Sequence, residues 1–123
     1  MSQLSAAVSI HPYFKVQEGK LAEFQELMKD FVAKTEGEER CLYYDFFVLA
    51  SENQVYCREA YIGAEGVLTH LSNVEECIGK ALEISELFRL EIVGPEEELA
   101  NLREPLKDLK PDFYARAAGV AAK

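Results

Sequence analysis

A carboxylate, a phenol and an imidazole fall close together in this chain as Glu59, Tyr61 and His70. Val55-Tyr-Cys-Arg-Glu-Ala-Tyr61 reads as a strand, and the alternation of a strand puts Glu59 and Tyr61 on one face. A short helix from Ala64 to Leu71 follows and carries His70 near its end. Such a set could remove a proton from an acidic hydroxyl. Histidine suits the base because its unperturbed pKa, about 6.5, lies near working pH. His70 would sit at a pocket mouth as base or ligand contact, with Glu59 orienting it or binding substrate and Tyr61 in the wall. The structural alternatives are a partly exposed helix histidine bonded to backbone, and a Glu59 ion pair with Arg58, Arg89 or a partner subunit.

Further polar and aromatic candidates lie on other strands. His11 and Tyr13 share the strand face opposite Ile10 and Phe14, as substrate contacts or as a satisfied interface pair. Tyr43, Tyr44, Phe46, Phe47 and Tyr56 supply area for stacking a planar ligand, or for the core. Of these, Tyr44 and Phe46 join Tyr61, His11 and Tyr13 as substrate-binding candidates. Arg58 and Arg89 could hold a ligand carboxylate or quinone oxygen, or form surface pairs. No metal and no cofactor is expected. The two histidines are far apart and lack His-x-His or helical His/Glu spacing. There is no phosphate-cradling glycine loop, nucleophile elbow or dinucleotide fingerprint.

The elements that must position these groups are legible from periodicity. Ala7 to Val16 alternates as a strand, with Pro12 requiring a free edge or a bulge. Leu21, Phe24, Leu27, Met28, Phe31 and Val32 recur at helical spacing, so an amphipathic helix runs from Lys20 to about Thr35 and ends at Gly37. Leu42 to Ala50 reads as a strand buried on both faces, joined by a Ser51-Glu-Asn53 turn to the strand Gln54–Ile62. Ser72-Asn-Val-Glu75 has capping-box spacing and would restart the helix after Leu71. Leu87 to Val93 is the last strand.

Strand, helix, strand, strand, helix, strand suits an α+β ferredoxin-like βαββαβ sandwich, an antiparallel sheet with both helices on one face. Residues 1–94 form this domain. Residues 95–123 form a helical extension and tail, opened by Gly94-Pro95, edged by Leu99, Leu102, Leu106 and Leu109, and kinked or divided at Pro105. The tail from Ala115 to Lys123 reads as loose.

Bulk properties narrow the function. The 123 residues suit one domain, and 49% hydrophobic residues suffice for a core. Thirteen basic against 22 acidic residues give a net charge of −9, which repels nucleic acid and anionic membranes. The segment Met1 to Val8 lacks the basic start and apolar run of a signal peptide. No apolar run approaches the roughly 20 residues of a bilayer span. Cys41, Cys57 and Cys77 are odd in number and lack C-x-x-C spacing. They read as packed free thiols in a reducing cytoplasm rather than a disulfide framework or zinc site.

Val8-Ser-Ile-His-Pro-Tyr-Phe-Lys-Val16 before Gly19-Lys-Leu-Ala-Glu-Phe24, then Arg58-Glu-Ala-Tyr61 and Leu68-Thr-His70-Leu71, resembles the antibiotic biosynthesis monooxygenase family of the dimeric α+β barrel superfamily. The family pattern of a Glu, an aromatic two residues on and a histidine some nine further along matches Glu59, Tyr61 and His70. The resemblance spans Ala7 to Val93; the segment from Gly94 to Tyr114 lies outside it. It implies cofactor-independent oxidation of an aromatic or quinol-type molecule by oxygen, in a homodimer formed sheet to sheet. Two departures stand out. The motif aromatic is commonly tryptophan, and this chain has none. The Asn, Trp and His of the haem-degrading branch fall at the His11-Pro12 region, at His70 and near Lys80, so haem degradation is not implied. The alternatives are a non-catalytic small-molecule-binding or stress-response dimer and a member retaining only an oligomeric role. The extension could clasp the partner subunit or pack on its own.

Overall fold

The computed structural model describes residues 6–120. Its strands are β1 (Ala7–Val16), β2 (Cys41–Leu49), β3 (Gln54–Ile62), β4 (Ser85–Gly94) and β5 (Asp112–Ala115). Its helices are α1 (Leu21–Thr35), α2 (Gly63–Asn73), α3 (Glu75–Glu83) and α4 (Glu96–Leu99). The sheet order is β2-β3-β1-β4-β5. The first four strands pair antiparallel, and β5 adds in parallel to β4. The ferredoxin-like expectation holds, with a fifth strand that the sequence did not announce.

Alternation along β1 sends Val8, Ile10, Phe14 and Val16 beneath the helices. On β3 it sends Val55, Cys57, Glu59 and Tyr61 the same way, so one register buries apolar and chemical residues together. The β1–β4 register shifts between Tyr13 and Phe14, and the β1–β3 pairing skips His11 and Pro12, where the proline has no N–H to donate. Two glycines set α2. Gly63 has φ 72°, a left-handed turn out of β3 that a side chain would strain. Gly66 lies so close to β3 that a Cβ there would meet Tyr61 Cβ at 2.9 Å.

Four expectations are corrected. β2 is an edge strand whose outer face is uncovered, so Tyr43, Phe47 and Leu49 are exposed there rather than buried, and Val48, on the inner face near the strand's end, is 39% exposed as well. No side-chain cap bond starts α3. The Asn73 amide instead donates to Lys34 O and Glu38 Oε2, both at 2.8 Å. The helix after Pro95 ends at Leu99, short of Pro105, and the chain continues as turns in which Pro105 cannot donate and disfavours helix at Glu104. Ala115 closes β5 rather than opening a loose tail. Residues 121–123 of that tail, like residues 1–5 of the N-terminal segment, lie outside the described part.

The extension packs on its own subunit. Leu99, Leu102 and Leu106 join Val8, Ile10, Tyr61, Leu90 and Ile92 in one core cluster. Phe14, Phe24, Phe31, Val55, Val74 and Cys77 belong to a second. A parallel neighbour demands a crossover connection, and residues 95–111 supply it by passing over the helix-covered face.

Candidate functional site

A cavity of about 70 Å³ lies at the seam between the two core clusters. Ile10, Phe14, Leu90 and Ile92 form its sheet wall, and Val74, Ile78 and Leu82 its helix wall. Leu106 and Leu109 of the crossover line it as well. Glu59 and His70 are its ionisable groups, beside the Tyr44 hydroxyl and the Cys57 thiol. Among the described residues, no lysine or arginine lines it.

The close approach at Gly66 seats α2 on β3, and one helical turn later His70 comes over Glu59 and Tyr61. His70 is 2% exposed rather than at a pocket mouth. Its Nε2 lies 3.3 Å from Glu59 Oε1, and its Nδ1 lies 2.9 Å from Glu38 Oε2. The Tyr61 hydroxyl donates to Glu59 Oε1 at 2.6 Å. The Tyr61 ring stands 4.8 Å from the imidazole and the Tyr44 ring 5.1 Å, closing it in aromatic faces.

Burial governs the electrostatics. Desolvation raises the Glu59 carboxyl above the ordinary carboxylate range, against the opposing pull of His70 and the Tyr61 hydrogen bond. Burial, reinforced by the Glu59 charge, raises the Tyr61 phenol far above its usual range, so it stays a donor. Tyr44 and Cys57 are raised by the same two causes. Burial also pushes the Cys41 thiol up to about 11.

The candidates divide by position. Glu59, His70, Tyr44 and Phe46 meet at the cavity. Tyr61 touches it only through Glu59, since it stands behind that carboxylate as its donor and is fully buried. His11 and Tyr13 are on the opposite face of the sheet. There His11 Nδ1 lies 2.9 Å from Tyr56 Oη and its Nε2 2.9 Å from Ser9 Oγ, while Tyr13 donates to Glu91 Oε1 at 3.2 Å. Arg58 and Arg89 share that outer face, over the rings of Tyr43 and Tyr13. The residue types alone did not single out Glu38. It lies in the loop between α1 and β2, and nothing in the run Gly37-Glu38-Glu39-Arg40 marks one acid as the buried one.

The chain is thus a ferredoxin-like α+β protein whose helix-covered sheet face holds an imidazole–carboxyl pair in an apolar cavity. No protein-family model matches the chain, and no curated protein matches it. Among solved structures it is similar to MupZ from Pseudomonas fluorescens, with 36% identity over 94% of each chain and a TM-score of 0.88. A conserved protein from Methanosarcina mazei matches at 21% identity over 73% of this chain and 93% of its own, with a TM-score of 0.65. An antibiotic biosynthesis monooxygenase matches at 15% identity over 69% of this chain and 92% of its own, with a TM-score of 0.61. The chain belongs to the same family as MupZ, and its fold is antibiotic biosynthesis monooxygenase-like. The cover shared with MupZ is too complete to leave out the segment beyond Gly94. Among the described residues, no helix is long and apolar enough to cross a membrane.

Proposed function

We propose that the chain is an acid–base enzyme for a neutral, largely apolar aromatic or quinol-type molecule, which it deprotonates for oxidation by oxygen without a resident cofactor. The observation that carries this reading is the pairing of Glu59 with His70, at 3.3 Å, in an otherwise apolar cavity. Proton transfer from a ligand hydroxyl to this pair leaves an electron-rich anion, and the dry wall shields what it becomes. For a ring methylene beside a phenol the balanced reaction is CH2 + O2 → C=O + H2O, with all electrons drawn from the substrate. The absence of a lining cation among the described residues argues for a ligand without carboxylate or phosphate.

A homodimer accompanies this reading. The outer face carries Tyr13 stacked 4.7 Å from Tyr56, with Phe47, Phe88 and Val93 exposed, and a second copy packed sheet to sheet would cover it.

The test is oxygen uptake by the intact protein with a panel of neutral phenols and quinols, with and without a chelator. Uptake that survives chelation and is lost in His70→Ala supports the reading. Turnover unchanged in His70→Ala sinks it. The competing reading, a non-catalytic small-molecule-binding or stress-response dimer, is favoured by the absence of the motif tryptophan and by the few titratable groups in the cavity. Binding without oxygen uptake would establish it. Sedimentation at micromolar protein reads the dimer, and a monomer there overturns that part.

A further inference from the structure

We infer that Glu38 is the outlet of a proton relay, Glu59 to His70 to Glu38, that joins the inner end of the cavity to solvent. The inference rests on the acid–base reading of the cavity and adds a direction to it. Glu59 and His70 line the cavity, whereas Glu38 lines none of it. Glu38 borders two grooves on the molecular surface, one with Lys34 and Asn73 and one with Cys41 and Tyr43. Its side chain is 7% exposed, against 2% for His70. The imidazole thus stands between an inner and an outer carboxylate, with one ring nitrogen toward each, at 3.3 Å and 2.9 Å.

Glu59 is only 4% exposed, so with a ligand in the cavity the proton it takes is served by a second way out before the next turnover. The transfer balances without electrons. The ligand O–H bond breaks and its proton joins the Glu59 carboxylate. Glu59 gives a proton to Nε2, Nδ1 gives one to Glu38, and Glu38 passes it to water in the groove. Neighbouring groups do not compete. The Tyr61 and Tyr44 phenols and the Cys57 and Cys41 thiols all have raised pKa values and hold their protons. Asn73 donates to Glu38 Oε2 at 2.8 Å and fixes the outer carboxylate without accepting a proton from it. Glu38 acts through His70 and is a positioning and relay residue, not a catalytic one.

With two histidines in the chain, nitrogen-15 NMR of histidine-labelled protein in the His11→Gln background reads His70 alone. The expected signature is a proton on Nδ1 whose exchange with water slows by about a hundredfold in Glu38→Gln and recovers substantially in Glu38→Asp, in line with removal and restoration of a general base. Asn73→Ala, which keeps the carboxylate, should leave the rate within about threefold of its background. Backbone amide exchange at Tyr61 and Val67 in the same samples reads the fold. An Nδ1 exchange rate unchanged or raised in Glu38→Gln while those amides stay protected overturns the relay. So does equal slowing in Asn73→Ala. If Glu38→Gln loosens the amides, the Asp and Asn73 variants decide by the same criteria. The readout needs no substrate, so failure of the oxidation reading would leave this result standing.

Discussion

His70 and Glu38 stand 32 positions apart in the chain and 2.9 Å apart in space, Nδ1 to Oε2. That contact ties the loop after α1 to the end of α2, and Asn73 adds bonds to Glu38 Oε2 of the same loop and to Lys34 O at the end of α1. His70→Ala would leave the carboxylates of Glu38 and Glu59 in their buried places without the imidazole. The expected cost is about 3–5 kcal/mol, as when one member of a buried charged set is removed. Urea denaturation at neutral pH measures it. A loss below about 1 kcal/mol would mean the cluster behaves as an exposed pair does.

Gly66 and Gly79 should respond to alanine with opposite signs. A Cβ at Gly66 meets Tyr61 Cβ at 2.9 Å and Arg40 Cβ at 3.1 Å, so α2 must lift from β3. A loss of about 1–3 kcal/mol is expected, as for overpacking. Gly79 lies within α3 with nothing near the added atom, and alanine there should gain up to about 1 kcal/mol from helix propensity. Thermal unfolding of the two variants beside the parent settles the signs.

Stability should fall as pH rises above the ordinary carboxylate range, and Glu59 is the reason. Its folded pKa is raised by burial from 4.5, so the folded state holds a proton that the unfolded state has released. Stability from this proton is complete below 4.5 and is lost as pH climbs through the raised value. His11 works in the opposite direction. Its pKa is lowered from 6.5, chiefly by burial, so its contribution grows as pH rises toward and past that value. Urea midpoints across this range in His11→Gln should therefore decline with pH, and adding Glu59→Gln should flatten the curve. A curve equally steep with Gln at position 59 would assign the dependence elsewhere.

Leu102 and Leu109 separate stability from access. Leu102 is fully buried, and Leu102→Ala should cost about 2–5 kcal/mol. Leu109 is 42% exposed yet lines the cavity, so Leu109→Ala should cost within about 0.5 kcal/mol. It should also speed the uptake of a neutral apolar dye such as Nile red, followed by stopped-flow fluorescence. Equal uptake rates in parent and variant would show that ligand enters elsewhere.

Residues whose environment is set by their neighbours along the chain are legible in the amino-acid order alone. The alternation of β1 and β3 and the apolar stripe of α1 carry the fold, and the Glu59, Tyr61 and His70 spacing carries the inner half of the site. What stays hidden is set by partners distant in the chain. Glu38 looks like any acid of a polar loop until His70 folds against it. Asp112-Phe-Tyr-Ala115 is a strand because β4 offers a free edge, not because four residues alternate strongly. Ser72 has the spacing of a cap, but Asn73 finds tertiary acceptors and no cap bond forms. By contrast, strand parity already sets His11 and Tyr13 opposite Ile10 and Phe14 in the sequence, and the cavity lies on the Ile10 side.

The pairing of β5 beside β4 fixes both ends of residues 95–111 to the same sheet edge. Glu98 adds a third tether, its Oε1 accepting the Ala64 amide at 2.8 Å at the start of α2. A segment fastened in this way cannot swing aside as a free terminus would. The stretch carrying Leu106 and Leu109 lies between the Glu98 tether and β5, so the crossover's share of the cavity wall is anchored on both sides.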